Sequence, residues 1–155
     1  MAKYNDYELD IMVDEIQKSI IEDAREAFSK EVVNRWLNPK NIGIMEDPDG
    51  VGRLTGPCGD TLEIYLKVKD NRITNAMFIT DGCGTTIASG SMVTELATGT
   101  DIKESFKITQ EVILDALGGL PEENRHCALL ASNTLKEALK DYLAYKNEPW
   151  KKTYR

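Results

Sequence analysis

The sequence predicts an α+β fold: a three-stranded antiparallel sheet with helices packed on one face, preceded by a long N-terminal helix. Two observations carry this prediction. Thr61–Lys69 alternates Leu62, Ile64, Leu66 and Val68 with polar neighbours and is followed, after the turn pair Asp70-Asn71, by a second extended segment at Arg72–Thr80. On either side of this hairpin, apolar residues recur at steps of three and four, the period of a helix burying one stripe. At 155 residues the chain is long enough for one core and needs no second domain.

The elements follow in order. Between residues 5 and 37, Leu9, Met12, Val13, Ile16, Ile20, Ala24, Phe28, Val32 and Trp36 share one helical face, with charged residues filling the gaps. One long helix fits, as do two with a break near Arg25–Ser29. Asn38-Pro39 stops it, because the residue before proline is pushed out of the α region. Asp47-Pro48-Asp49-Gly50 is a turn signal, and a short strand is expected from Val51 towards Cys58. Beyond the hairpin, Gly82-Cys83-Gly84 opens a helix over Thr85–Ala97, with Gly99 as its C′ residue. Two short helices, Asp101–Phe106 and Thr109–Leu117, take Asp101 and Thr109 as N-caps. Gly118-Gly119 breaks the chain, and Pro121 suits the first position of a last helix running to about Lys146. That helix has Leu129, Leu130, Leu135, Ala138, Leu139, Tyr142 and Leu143 at core spacing. The basic tail after it is expected to be loose. The division expected is an N-terminal helical extension at 1–27, the main domain at 28–146 and the tail at 147–155.

Composition narrows the function. Hydrophobic residues at 41% and charged ones at 29% are ordinary globular values. The net charge of −7 repels nucleic acid on average, and no basic stripe with interleaved aromatics offsets it. No apolar run is long enough to span a bilayer, and the acidic N-terminus resembles neither a secretory signal nor a transit peptide. A cytoplasmic location is therefore expected, with neither nucleic acid nor membrane as partner. Three cysteines cannot all pair, and in a reducing compartment a thiol is a ligand or nucleophile before it is a bridge.

Each cysteine has a suggestive setting. Cys58 lies in Gly-Pro-Cys-Gly-Asp, where extended chain lets the Cys58 thiol and the Asp60 carboxylate face one site. Cys83 lies at a strand-to-helix junction, where the helix dipole favours thiolate. The single histidine, His126, directly precedes Cys127 near the start of the last helix. Taken singly, each has an ordinary structural reading: a turn, a capping loop, a partly buried pair. Taken together, Cys58, Asp60, Cys83, His126 and Cys127 are five candidate ligands at element ends, a donor set that suits tetrahedral zinc or an iron–sulfur cluster. Calcium and magnesium prefer oxygen shells. A Cys–His–Asp triad would leave two glycine-flanked cysteines unused.

These residues carry a resemblance. Gly-Pro-Cys58-Gly-Asp60, Gly-Cys83-Gly followed by Ile87-Ala88-Ser89-x-Ser91-Met92-Val93-Thr94-Glu95, then Leu120-Pro121 and His126-Cys127, resemble the U-type iron–sulfur cluster assembly scaffolds, IscU and the N-terminal domain of NifU. Asn38-Pro39-Lys40-Asn41-Ile42-Gly43 matches the segment after that family's first helix, and the likeness covers Phe28 to Lys146. It implies three antiparallel strands with helices on one face. It implies a non-enzymatic role: a transient [2Fe–2S] or [4Fe–4S] cluster is built and handed to recipient apo-proteins, with iron or zinc at the site in the cluster-free form. Sulfur would arrive as persulfide from a cysteine desulfurase, with Cys127 as first acceptor. Cys58 and Cys83 would be cluster ligands, with Asp60 and His126 as variable ones, and the extension could serve a homodimer.

One segment departs from the family. The Leu-Pro-Pro-Val-Lys read there by a dedicated Hsp70-type chaperone stands here as Leu120-Pro121-Glu122-Glu123-Asn124, so chaperone-assisted release in that form is not expected. The alternative is a zinc-bound sulfur acceptor of the SufU type, which builds no cluster. That type carries an insertion between its second and third cysteines and lacks the histidine, whereas here the spacing is compact and His126 is present. A structural zinc domain is disfavoured by the mixed Cys/Asp/His donors.

Overall fold

A computed structural model of the chain describes residues 5–154; the first four residues of the expected extension and Arg155 of the tail lie outside it. The order is α1 (Asp6–Ala27), α2 (Lys30–Leu37), β1 (Gly50–Thr55), β2 (Thr61–Lys69), β3 (Arg72–Thr80), α3 (Gly84–Ala97), α4 (Ile102–Ser105), α5 (Gln110–Leu117) and α6 (Arg125–Asn147). The α+β class, the sheet and the long first helix agree with the sequence reading.

The N-terminal stripe splits into two helices at Phe28. Ser29 caps α2 by accepting a hydrogen bond from the Val32 N–H, and a capping box between Asn5 and Glu8 starts α1. The apolar face of α1 does not enter the core. Ala24 is its one buried residue among those described, and Leu9, Met12, Val13, Ile16 and Ile20 are exposed. Periodicity identified the helix but not its burial.

The strands pair in the order β1-β2-β3, both pairs antiparallel. Asp70 and Asn71 take φ of 53° and 62°, the backbone a tight two-residue hairpin needs. The even positions of β2 (Leu62, Ile64, Leu66) are fully buried and meet α3 and α6 in the core cluster, together with Phe78 of β3. The first strand ends earlier than expected, at Thr55, because Gly56–Gly59 closes a turn: the Gly59 N–H donates to the Gly56 carbonyl at 3.0 Å. Pro57 presets the second position of that turn and leaves Cys58 at its tip.

α3 is buried nearly all round. Its small residues let it sit between the sheet, α2 and α6. Two of its buried hydroxyls are satisfied within the helix, Ser89 donating to the Thr85 carbonyl and Thr94 to that of Gly90. Asp101 and Thr109 cap α4 and α5 as expected. Pro121 instead begins a 3₁₀ turn, Glu122–Asn124, and α6 starts only at Arg125. Leu129, expected in the core, is exposed, and the tail forms a 3₁₀ turn at Pro149–Tyr154 rather than running loose. No helix among the described residues is long and apolar enough to cross a membrane.

Candidate metal and sulfur site

Three chain segments meet at one end of the sheet. β1 and β2 are joined there by the Gly56–Asp60 turn, and β3 ends there at Thr80, paired with Leu62. Gly56 lies against Leu130, which brings the first turns of α6 to the same place. Cys58 and Asp60 thus come from the β1–β2 turn, Cys83 from the N-cap of α3, and His126 and Cys127 from the first turn of α6.

What links them is a pair of threonines. Thr85 Oγ1 lies 3.1 Å from Cys83 Sγ and 3.3 Å from Cys127 Sγ, so the two sulfurs are no further apart than the sum, 6.4 Å. Thr86 Oγ1 donates to Asp60 Oδ2 at 2.8 Å and lies 3.4 Å from Cys127 Sγ, which bounds the carboxylate-to-sulfur separation at 6.2 Å. His126 Nε2 is 3.7 Å from Cys127 Sγ, and Asn124 Nδ2 donates to Thr85 Oγ1 at 3.4 Å. Among the described residues, no three His, Cys, Asp or Glu side chains close directly into a metal-binding group. The donors stand one hydroxyl apart. As a set they suit the chemistry expected of them, since two thiols, a carboxylate and an imidazole span soft to hard ligands for iron or zinc.

Two glycines make the approach feasible. A Cβ on Gly82 would lie 2.7 Å from Asp60 Oδ2 and from the Thr86 side chain, and one on Gly84 would lie 2.2 Å from the Trp36 indole. Trp36, wedged edge-on against Phe28 with ring centroids 6.2 Å apart, therefore backs the loop that holds Cys83.

The thiols differ electrostatically. Burial pushes Cys83 up, but hydrogen bonds from the Thr85 and Thr86 hydroxyls and N–H groups outweigh it and hold the thiol below its ordinary pKa. Cys127 is only 1% exposed, and burial pushes it up; the threonine hydroxyls offset this in part, while the charges of Cys83 and Cys58 add to it. The Thr86 hydroxyl can donate to either Asp60 Oδ2 at 2.8 Å or Cys127 Sγ at 3.4 Å, the carboxylate being the nearer acceptor.

The sequence-predicted residues thus fall into two groups. Asp60, Cys83, His126 and Cys127 are joined through hydrogen-bond contacts, whereas Cys58 sits exposed at the turn tip. Thr85, Thr86, Asn124 and Trp36 went unrecognised as site residues. Two hydroxyls directly after Cys83-Gly84, at the opening of a helix, were the available signal.

Similarity to known proteins extends over most of the chain. Residues 27–149 match the model of the NifU-like N terminal domain. Iron-sulfur cluster assembly scaffold protein IscU 1 of Archaeoglobus fulgidus is 48% identical over 116 residues, covering 74% of this chain and 76% of that protein. The IscU scaffold protein of Haemophilus influenzae is 38% identical over 123 residues, covering 76% of this chain and 97% of that protein. In fold, the chain is similar to the crystal structure of the N-terminal part of a nitrogen-fixing NifU-like protein from Brucella abortus, with a TM-score of 0.59 at 20% identity, covering 75% of this chain and 94% of that one.

Proposed function

The chain belongs to the NifU-like N-terminal domain family, and from that premise we propose that it is an iron–sulfur cluster assembly scaffold, a carrier rather than an enzyme. The cluster, [2Fe–2S] or [4Fe–4S], is its cargo, built on residues 28–146 and passed to recipient apo-proteins. The observation that supports this best is the meeting of Asp60, Cys83, His126 and Cys127 from three separate elements around two hydroxyls.

In this reading Cys83 and Cys127 bind iron as thiolates, Cys58 swings in from the turn tip as the third, and Asp60 or His126 completes the shell. Soft thiolates hold a cluster firmly, and a hard carboxylate in one position weakens that hold. A scaffold needs this weakness, because its cargo must leave. Sulfur arrives as persulfide on a cysteine desulfurase. The Cys127 thiolate attacks the outer sulfur, and the donor's S–S bond breaks as the new one forms. The donor leaves as a thiolate that takes up the proton Cys127 has lost. Since Cys127 is 1% exposed and sits under Thr85 and Thr86, this step requires the first turn of α3 to move aside. The reading carries with it a cytoplasmic location, zinc or iron in the cluster-free state, and no dedicated chaperone acting through Leu120–Asn124. The exposed apolar side chains of α1 support its use in a homodimer.

The test is anaerobic reconstitution with iron, cysteine and a desulfurase, followed by visible absorption and transfer to an apo-ferredoxin. A chromophore that forms and then moves to the acceptor is expected. Sulfur uptake without a chromophore would instead identify a zinc-bound sulfur acceptor.

A further inference from the structure

We propose that Thr86 is the residue that positions Asp60 as a metal ligand, so that its hydroxyl sets how firmly the site holds metal. The proposal rests on the scaffold reading and adds a residue and a role to it. Thr86 is fully buried in the first turn of α3, where the helix fixes its backbone and β-branching restricts its χ1. Its Oγ1 is thus a fixed point, whereas Asp60 is not: it is half-buried and sits at the end of a surface turn, just after Gly59. The 2.8 Å bond from Thr86 Oγ1 to Oδ2 draws the carboxylate in towards Cys127 and leaves Oδ1 unused by that bond. The backbone of Gly82 allows this, since any side chain there would strike both Oδ2 and the Thr86 Cβ.

Hydroxyl partners of this kind orient ligating carboxylates, and losing one typically weakens metal binding by roughly 10–100-fold. Thr86→Val is nearly isosteric, keeps the buried volume and removes the bond to Asp60 together with the longer contacts to Cys127 at 3.4 Å and Cys83 at 3.8 Å. Thr86→Ser keeps the bond. Asp60 stays chemically present in both, and the D60A background separates the effect on its aim from any effect on the two sulfurs.

The experiment is a double-mutant cycle read by cobalt(II), whose thiolate charge-transfer band reports sulfur ligation directly. Wild type, T86V, T86S, D60A and D60A/T86V are titrated with Co²⁺, and thermal unfolding of each confirms that it is folded. The expected result is a loss of about 10-fold in Co²⁺ affinity for T86V, near wild-type affinity for T86S, and no further loss on adding T86V to D60A. The proposal is overturned by wild-type affinity in T86V, by failure of serine to restore it, or by the same loss with and without Asp60. Failure of the underlying scaffold reading looks different: wild-type protein would bind Co²⁺ with no thiolate band at all.

Discussion

Gly84 is the position where one added carbon tests the most of this structure. The Cβ of Gly84→Ala would lie 2.2 Å from the Trp36 ring, more than 1 Å inside the separation of about 3.5 Å at which carbons make favourable contact. Trp36 cannot simply retreat, because Phe28 stands edge-on beside it, so either α2 shifts or the first turn of α3 does. Overpacking of this kind costs about 1–3 kcal/mol. Alanine gains back up to about 1 kcal/mol of helix propensity. A net loss of about 1–2 kcal/mol is expected, lowering the melting temperature by about 2–8 °C for a chain of this size. Because Cys83 is the adjacent residue, its alkylation rate should change with it. Urea unfolding and iodoacetamide labelling measure both, and G84A/W36L should recover most of the stability by emptying the space. A G84A protein at least as stable as wild type, with Cys83 labelled at its normal rate, would refute the wedge.

Two further predictions follow from the charges. In the metal-free protein, iodoacetamide should label Cys83 at lower pH than an ordinary thiol, because hydrogen bonds favour its thiolate, and should label Cys127 last, because burial disfavours ionisation. Peptide mass spectrometry across pH 6–10 reads the order, and Cys127 reacting ahead of Cys83 would contradict it. Glu95 takes hydrogen bonds from Arg35 Nε at 2.7 Å and Ser91 Oγ at 3.1 Å. Burial pushes its pKa up, but Arg35, Ser91 and Lys40 together outweigh that and hold it below the ordinary carboxylate value. A depressed carboxylate stabilises the fold above its unfolded pKa and loses that contribution as pH falls through the folded one. Glu95→Gln should therefore cost about 1–3 kcal/mol near pH 7, and the gap to wild type should narrow below about pH 4. A pH-independent gap in urea midpoints would count against this.

The sheet was legible because alternation is a local signal: Leu62, Ile64 and Leu66 declare one face, and Asp70-Asn71 declares the turn. Caps were equally local, as Asp101 and Thr109 show. Burial was not. The stripe from Leu9 to Ile20 has the spacing of a core face, yet nothing in spacing says whether a partner surface exists, and here α1 leaves it in solvent. The φ of Pro121 suits the first residue of the last helix, and it suits equally the 3₁₀ turn that occurs instead. In the site, the five candidate donors are visible by residue type. Thr85 and Thr86 are not, since a hydroxyl acquires its meaning only from what it touches, and beyond the neighbouring Cys83 their partners lie 26 to 42 residues away.

The placement of Trp36 on Gly84 also gives the molecule an optical gauge. An indole pressed against the residue beside Cys83 lies within easy range of energy transfer to any coloured group held there, so its emission should dim as cargo is loaded and brighten as cargo departs. Trp150, the other indole, is 63% exposed near the chain's end and supplies a red-shifted background. With Trp150 replaced by phenylalanine, hand-over could be followed in real time by intrinsic fluorescence, without a dye.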